Sequence, residues 1–152
     1  MKKLLFAATI LVAGCAACSM LPGGSSATDT YKKFAEAWAK GQGTDALQYV
    51  EGDSARESVE QMSARNLMSP VGMETYHGSR ATIKSETESA PGEVTIEAEL
   101  LIFFDPPGAY SGVGGAMYVQ FRHVVKLSKT GNGWKVISFE PTLLKMDERP
   151  RG

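Results

Sequence analysis

Cysteine and histidine are scarce in this sequence, with two of each in 152 residues. Both cysteines, Cys15 and Cys18, lie near the start. The rest of the chain therefore has no thiols for a disulfide framework. Two histidines leave little room for a structural zinc site, which needs four Cys or His ligands; neither metal nor cofactor is expected. An excess of one charge is lacking too. Sixteen Lys and Arg stand against 17 Asp and Glu, a net charge of −1, so no basic stripe marks the chain as a nucleic-acid binder. No apolar run has the roughly 18 residues of an ordinary spanning helix. What remains, 43% hydrophobic and 22% charged, is the composition of one ordinary globular domain.

The start of the chain is built as an address. Met1-Lys2-Lys3 is a short basic opening, and Leu4 to Ala13 is an apolar run too short to cross a bilayer but of the length found in a signal peptide. Leu11-Val12-Ala13-Gly14-Cys15 follows. Small residues ending on a cysteine at this place resemble the lipobox of bacterial lipoproteins. The resemblance implies cleavage after Gly14, so that residues 1–14 are leader, and a diacylglycerol on the thiol of Cys15. A lipid anchor then ties the chain to a membrane, each buried methylene contributing about 0.8 kcal/mol. Ala16, which is not aspartate, implies the outer membrane, facing the periplasm. The alternative is a secreted chain cleaved near Ala17. Cys18 lacks the aliphatic residue three positions before it and is the second candidate for acylation. Ser19 to Ala27 is rich in Gly, Ser and Pro without periodicity, so residues 15–27 read as lipidated cysteine and flexible tether.

Beyond the tether, apolar spacing predicts helices first and strands after. Tyr31, Phe34, Ala35 and Trp38 share one face of a helix over residues 28–40, with Thr28 or Asp29 as cap and Gly41 as stop. A short helix is expected over 44–50. A third is expected to start on the capping box Ser54-Ala55-Arg56-Glu57 and run to about Met68. Strict alternation over 93–104 puts Val94, Ile96, Ala98, Leu100, Ile102 and Phe104 on one face. Over 116–128 the same face holds Met117, Val119, Phe121, His123, Val125 and Leu127. A weaker strand precedes them over 74–89. A last one over 134–139 follows the turn Thr130-Gly131-Asn132-Gly133. Helices before an antiparallel meander argue an α+β domain over 28–141, with N-terminal helices packed on a curved antiparallel sheet of about four strands, and a polar tail over 142–152.

The stretch from Val124 to Ile137, a lysine-bearing strand, a Gly-Asn-Gly turn and Trp134-Lys135-Val136, is similar to the final hairpin of the cone-shaped fold of nuclear transport factor 2 and its relatives. The helix bearing Phe34 and Trp38, followed by Gly41-Gln42-Gly43-Thr44-Asp45-Ala46, resembles that fold's opening. The nearest branch is small bacterial lipoproteins of unknown function. The fold hosts enzymes, binders and assembly subunits, so it assigns no role.

Three functional readings follow from the residues. His123 is the one ionisable side chain on the inward face of the central strands. With Trp38, Ala98 and Phe121 it lines the expected interior, where it would serve a small-ligand carrier or act as the base of an isomerase-like enzyme. No Asp or Glu falls on the inward pattern beside it, and a histidine in a packed core is the plainer explanation. Glu97 and Glu99 point outward, and Arg80, Lys84, Arg122 and Lys126 on the flanking strands explain them as cross-strand pairs. Leu101 and Phe103 interrupt the polar outer face, and Tyr118 lies on the same side. With Tyr110 in the 105–115 loop they form a candidate partner patch. The tail, with Leu143, Leu144 and Met146, is the alternative cover for that patch. The reading that absorbs most of these features is a lipid-anchored, non-catalytic binding or assembly module of the cell envelope, contacting an envelope protein or a second copy of itself.

Overall fold

The computed structural model describes residues 25–41, 43–68, 73, 75–105 and 117–148. Cys15, Cys18, Tyr110 and the segment between Asp105 and Met117 lie outside the described residues. Helices α1 (Ala27–Ala39), α2 (Gly43–Leu47), α3 (Asp53–Gln61) and α4 (Ala64–Leu67) precede strands β1 (Thr75–Ala90), β2 (Glu93–Asp105), β3 (Met117–Thr130) and β4 (Gly133–Glu148). The strands form one antiparallel sheet in the order β1-β2-β3-β4. This is the expected α+β architecture.

The core is the meeting of two apolar periodicities. On α1, Tyr31, Phe34, Ala35 and Trp38 are buried, and on β2 every second residue from Val94 to Phe104 is buried. Phe34 and Trp38 set their rings edge-on to Phe139 of β4 at 5.0 and 5.5 Å, and Trp38 also meets Phe121 of β3 at 5.1 Å. Such pairs add about 0.5–1.5 kcal/mol each to the burial of their area. Register breaks at three points between β1 and β2 and two between β3 and β4 bend the sheet around α1.

Several boundaries differ from the sequence reading. Ser26 caps α1, its hydroxyl accepting from the Asp29 N–H at 3.0 Å while the Asp29 carboxylate accepts from the Ser26 N–H. The domain thus begins slightly before Thr28. The capping box at Ser54 is not used; the chain enters α3 two residues earlier, with Gly52 as N-cap at φ +90°. The single helix expected to reach Met68 is broken at Met62–Ser63. There Trp38 donates its indole N–H to the Met62 carbonyl at 3.0 Å. The Asn66 amide donates to the carbonyls of Gln61 and Glu60 at 3.1 and 3.4 Å, and Ser63 caps the next turn. Side chains thus satisfy the carbonyls that a continuing helix would have bonded.

The largest correction concerns the polar tail. β4 does not stop at Phe139 but pairs with β3 through Pro141 as far as Glu148 opposite Met117. Proline is tolerated because β4 has a strand on one side only. Residues 142–148 therefore belong to the sheet.

Candidate functional site

His123 sits in the middle of β3, directly opposite Ala98 of β2 and Pro141 of β4. Both neighbours on its row are small, which leaves space for the imidazole. The ring is fully buried. Trp38 and Phe139 stand edge-to-face with it at 4.8 and 5.0 Å, and Phe121 lies at 6.4 Å. Sequence spacing therefore identified residues that do come together: Trp38, Ala98, Phe121 and His123 adjoin. They adjoin as packed core, however. Two surface depressions lie elsewhere. One, of about 190 Å³, is lined by Lys32, Glu36, Ser79, Ala81 and Leu100 between α1 and the sheet. The other lies on the far side of α1, beside Lys40, Asp45 and Tyr49.

The partner of His123 is a residue that sequence reasoning placed only in the core stripe. The Tyr31 hydroxyl lies 3.2 Å from Nδ1, and burial pushes the Tyr31 phenol well above its ordinary range, so it keeps its proton. A buried O–H needs an acceptor. Tyr31 donating to Nδ1 supplies it and leaves the ring proton on Nε2. That Nε2 is buried without a hydrogen-bond partner among the described residues. The edge-on Trp38 and Phe139 rings offer it a weak π-face contact at most. Desolvation lowers the His123 pKa to about 3. At neutral pH the ring is an uncharged and very weak base. Among the described residues no carboxylate is hydrogen-bonded to it.

The outer face gives a second candidate. Phe103 and Tyr118 are direct cross-strand partners, with Gly78 beyond Phe103 on β1 and Asp147 beyond Tyr118 on β4. Leu101 lies on the next outward row, between Arg80 and Gln120. All three apolar side chains are half-buried. Residues 142–148 extend the sheet at its edge and do not fold over them, so this part of the tail is not the alternative cover. Lys145 flanks the row, its Nζ 5.6 Å from the Tyr118 ring centre and 3.0 Å from the Asp147 carboxylate. The Tyr118 hydroxyl and Asp147 together hold its pKa up to about 12.

The remaining carboxylates behave as the pairing argument expects. Arg122 meets Glu97 at 3.2 Å and Lys84 meets Glu99 at 2.9 Å, all of them solvent-accessible. Such pairs contribute about 0–1 kcal/mol. His77 pairs with Asp105 at 2.7 Å at the end of the β1–β2 ladder. No group of three or more potential metal ligands occurs among the described residues.

No family model and no curated protein matches the chain. Solved structures do. A hexachlorocyclohexane dehydrochlorinase (LinA, type 2) aligns over 80% of this chain and 85% of its own, with a TM-score of 0.50 at 9% identity. The Kfla4162 protein from Kribbella flavida aligns over 79% and 89%, with a TM-score of 0.50 at 15% identity. Both carry the nuclear-transport-factor-2-like cone. The domain has that cone-shaped α+β fold, which hosts an enzyme in one neighbour and by itself assigns no activity here.

Proposed function

We propose that the protein is a lipid-anchored module of the cell envelope, held by Cys15 and facing the periplasm from the outer membrane, that binds an envelope protein through the outer face of its sheet. The observation that carries the reading is the contrast between the two faces. Inside, the His123 ring is enclosed by Trp38, Phe121 and Phe139 and lined up with one hydroxyl. Outside, Leu101, Phe103 and Tyr118 form an apolar island between charged rows. The leader ending at Gly14, directly before Cys15, supports the anchor. Labelling with radioactive palmitate tests it: Cys15→Ser is expected to lose the label and accumulate precursor, whereas loss only on Cys18→Ser would move the site. Crosslinking in native membranes tests the patch. Phe103→Ser/Tyr118→Ser is expected to fold and to lose its crosslinks; a folded double variant that keeps them refutes the contact.

One observation favours a second reading, an isomerase-like enzyme or small-ligand carrier working in the cone: the Nε2 of His123 is buried without a partner. A pKa of about 3 speaks against a general base, which works best near the ambient pH. Turnover with a pH profile near neutrality that disappears in His123→Gln would establish this reading in place of the first.

A further inference from the structure

The two edges of the sheet are unlike. The β1 edge carries Arg80, Lys84, Glu86 and Glu88 and three register breaks, against two breaks and one proline on β4; sheets use all of these to discourage pairing, and β1 has more of them. The β4 edge is already used once. Val50 forms a parallel bridge to Val136, with the Glu51 N–H donating to the Val136 carbonyl at 2.9 Å and the Val136 N–H donating to the Tyr49 carbonyl at 2.8 Å. Beyond that bridge the edge runs on to Glu148 with no further strand beside it among the described residues. The exposed large hydrophobic side chains of the described residues, Leu143 at 44% and Leu144 at 48%, both lie on this stretch. Leu144 is the extra residue of the bulge opposite Gln120 and Phe121.

We infer that residues 138–147 of β4 pair antiparallel with the same stretch of a second copy, joining two four-stranded sheets edge to edge. Charge complementarity selects the occupant. Glu140 pairs with Val124 and Lys145 with Gln120 on β3, two outward rows, so both charges lie on the outer face. A two-fold axis at Thr142, with Leu144 left as the extra residue in both copies, sets each Glu140 opposite the other copy's Lys145, giving two symmetric ion pairs. It also sets each Leu143 against the other copy's Pro141, so that the exposed leucines flank the axis and lose water-facing area. In the dimer the half-exposed Lys145 ammonium exchanges its Asp147 partner for the Glu140 carboxylate of the other copy. The Val50–Glu51 bridge fixes where the pairing ends. Pro141 supplies no N–H and confines the ladder to the bonds on either side of it. A closed, self-complementary contact of this kind needs one patch and no second surface. It does not depend on the anchor or on the Phe103–Tyr118 contact.

The test is charge reversal and exchange in the full-length protein, extracted in mild detergent and followed by sedimentation over a roughly hundredfold concentration range. The wild type is expected to dimerise. Lys145→Glu and Glu140→Lys, which each set like charges opposite at two places, are expected to raise the dissociation constant by about tenfold or more. The double exchange Glu140→Lys/Lys145→Glu is expected to restore it. Leu144→Asp is expected to dissociate the dimer by an independent route, with a circular-dichroism spectrum matching the wild type. Leu101→Ser, which leaves the Tyr118–Lys145 contact in place, is expected to leave the dimer intact, which separates this proposal from the outer-face contact. A wild-type monomer throughout the range overturns the inference. So do reversals without effect and an exchange that fails to restore pairing.

Discussion

Acid is expected to unfold this domain through His123. In the folded chain desolvation holds its pKa at about 3 against an ordinary 6.5. The unfolded chain therefore binds a proton that the folded chain refuses throughout the interval between those values. The folded pKa is the depressed one. His123 thus imposes no pH penalty above 6.5, and stability falls as the pH drops from 6.5 towards 3. At about 1.36 kcal/mol per pH unit the full interval amounts to about 5 kcal/mol, and the part between pH 6.5 and 4.5 to about 3 kcal/mol. That is a large share of the roughly 5–15 kcal/mol that holds an ordinary domain together. The perturbation is His123→Gln, which keeps an acceptor for the Tyr31 hydroxyl and removes the titration. The assay is urea denaturation of both proteins at pH 7.5, 6.5, 5.5 and 4.5. The surface carboxylates and His77 are common to both, so their contributions cancel in the difference. The wild type should lose about 3 kcal/mol relative to the variant between pH 6.5 and 4.5, while at pH 7.5 the variant is weaker by about 1–3 kcal/mol from imperfect packing. Parallel pH profiles would refute the reasoning, because they would mean that the buried imidazole accepts its proton as readily as the unfolded one.

Tyr31→Phe removes the donor at Nδ1 and leaves both ring nitrogens without a partner; it should cost about 1–3 kcal/mol in chemical denaturation. In the wild type, nitrogen NMR should find the proton on Nε2 from neutral pH to below 5, and a proton on Nδ1 would reverse the bond assigned here. Trp38→Phe keeps most of the aromatic packing but abandons the Met62 carbonyl at the α3–α4 break, which should cost about 2–4 kcal/mol from the lost bond and lost volume and raise amide exchange at residues 63–68. Ser26→Ala removes the α1 capping box and should lower stability by about 0.5–2 kcal/mol, with Ser26→Asp retaining most of it.

The sequence displayed the sheet wherever one face is dry and the other wet. The alternation from Val94 to Phe104 is visible because α1 covers one side of β2 and water the other. The same logic made the α1 stripe legible from Tyr31 to Trp38 and set Ala98 beside His123. Legibility failed where a distant group decides a local question. The break at Met62 depends on the indole of Trp38, 24 residues earlier, taking a carbonyl that helix propensity assigns to the backbone. The Tyr31–His123 bond spans 92 residues; its only trace in the sequence is one hydroxyl on an otherwise apolar stripe and one imidazole on an otherwise apolar strand. Pro141 reads as a terminator in any local scheme, yet a strand with one neighbour accommodates it.

Those failures separate the two candidate places by the forces that fix them. His123, Trp38 and Phe121 are set by close packing, which tolerates little change of volume or charge, so their chemistry is subordinate to the fold. The outward Phe103–Tyr118 pair is half-buried and Leu143 and Leu144 are exposed, so all four lie outside the packed core. Apolar side chains outside the packed core, on an outer row and on a strand edge with no further strand beside it among the described residues, are the observations on which both proposed contacts rest.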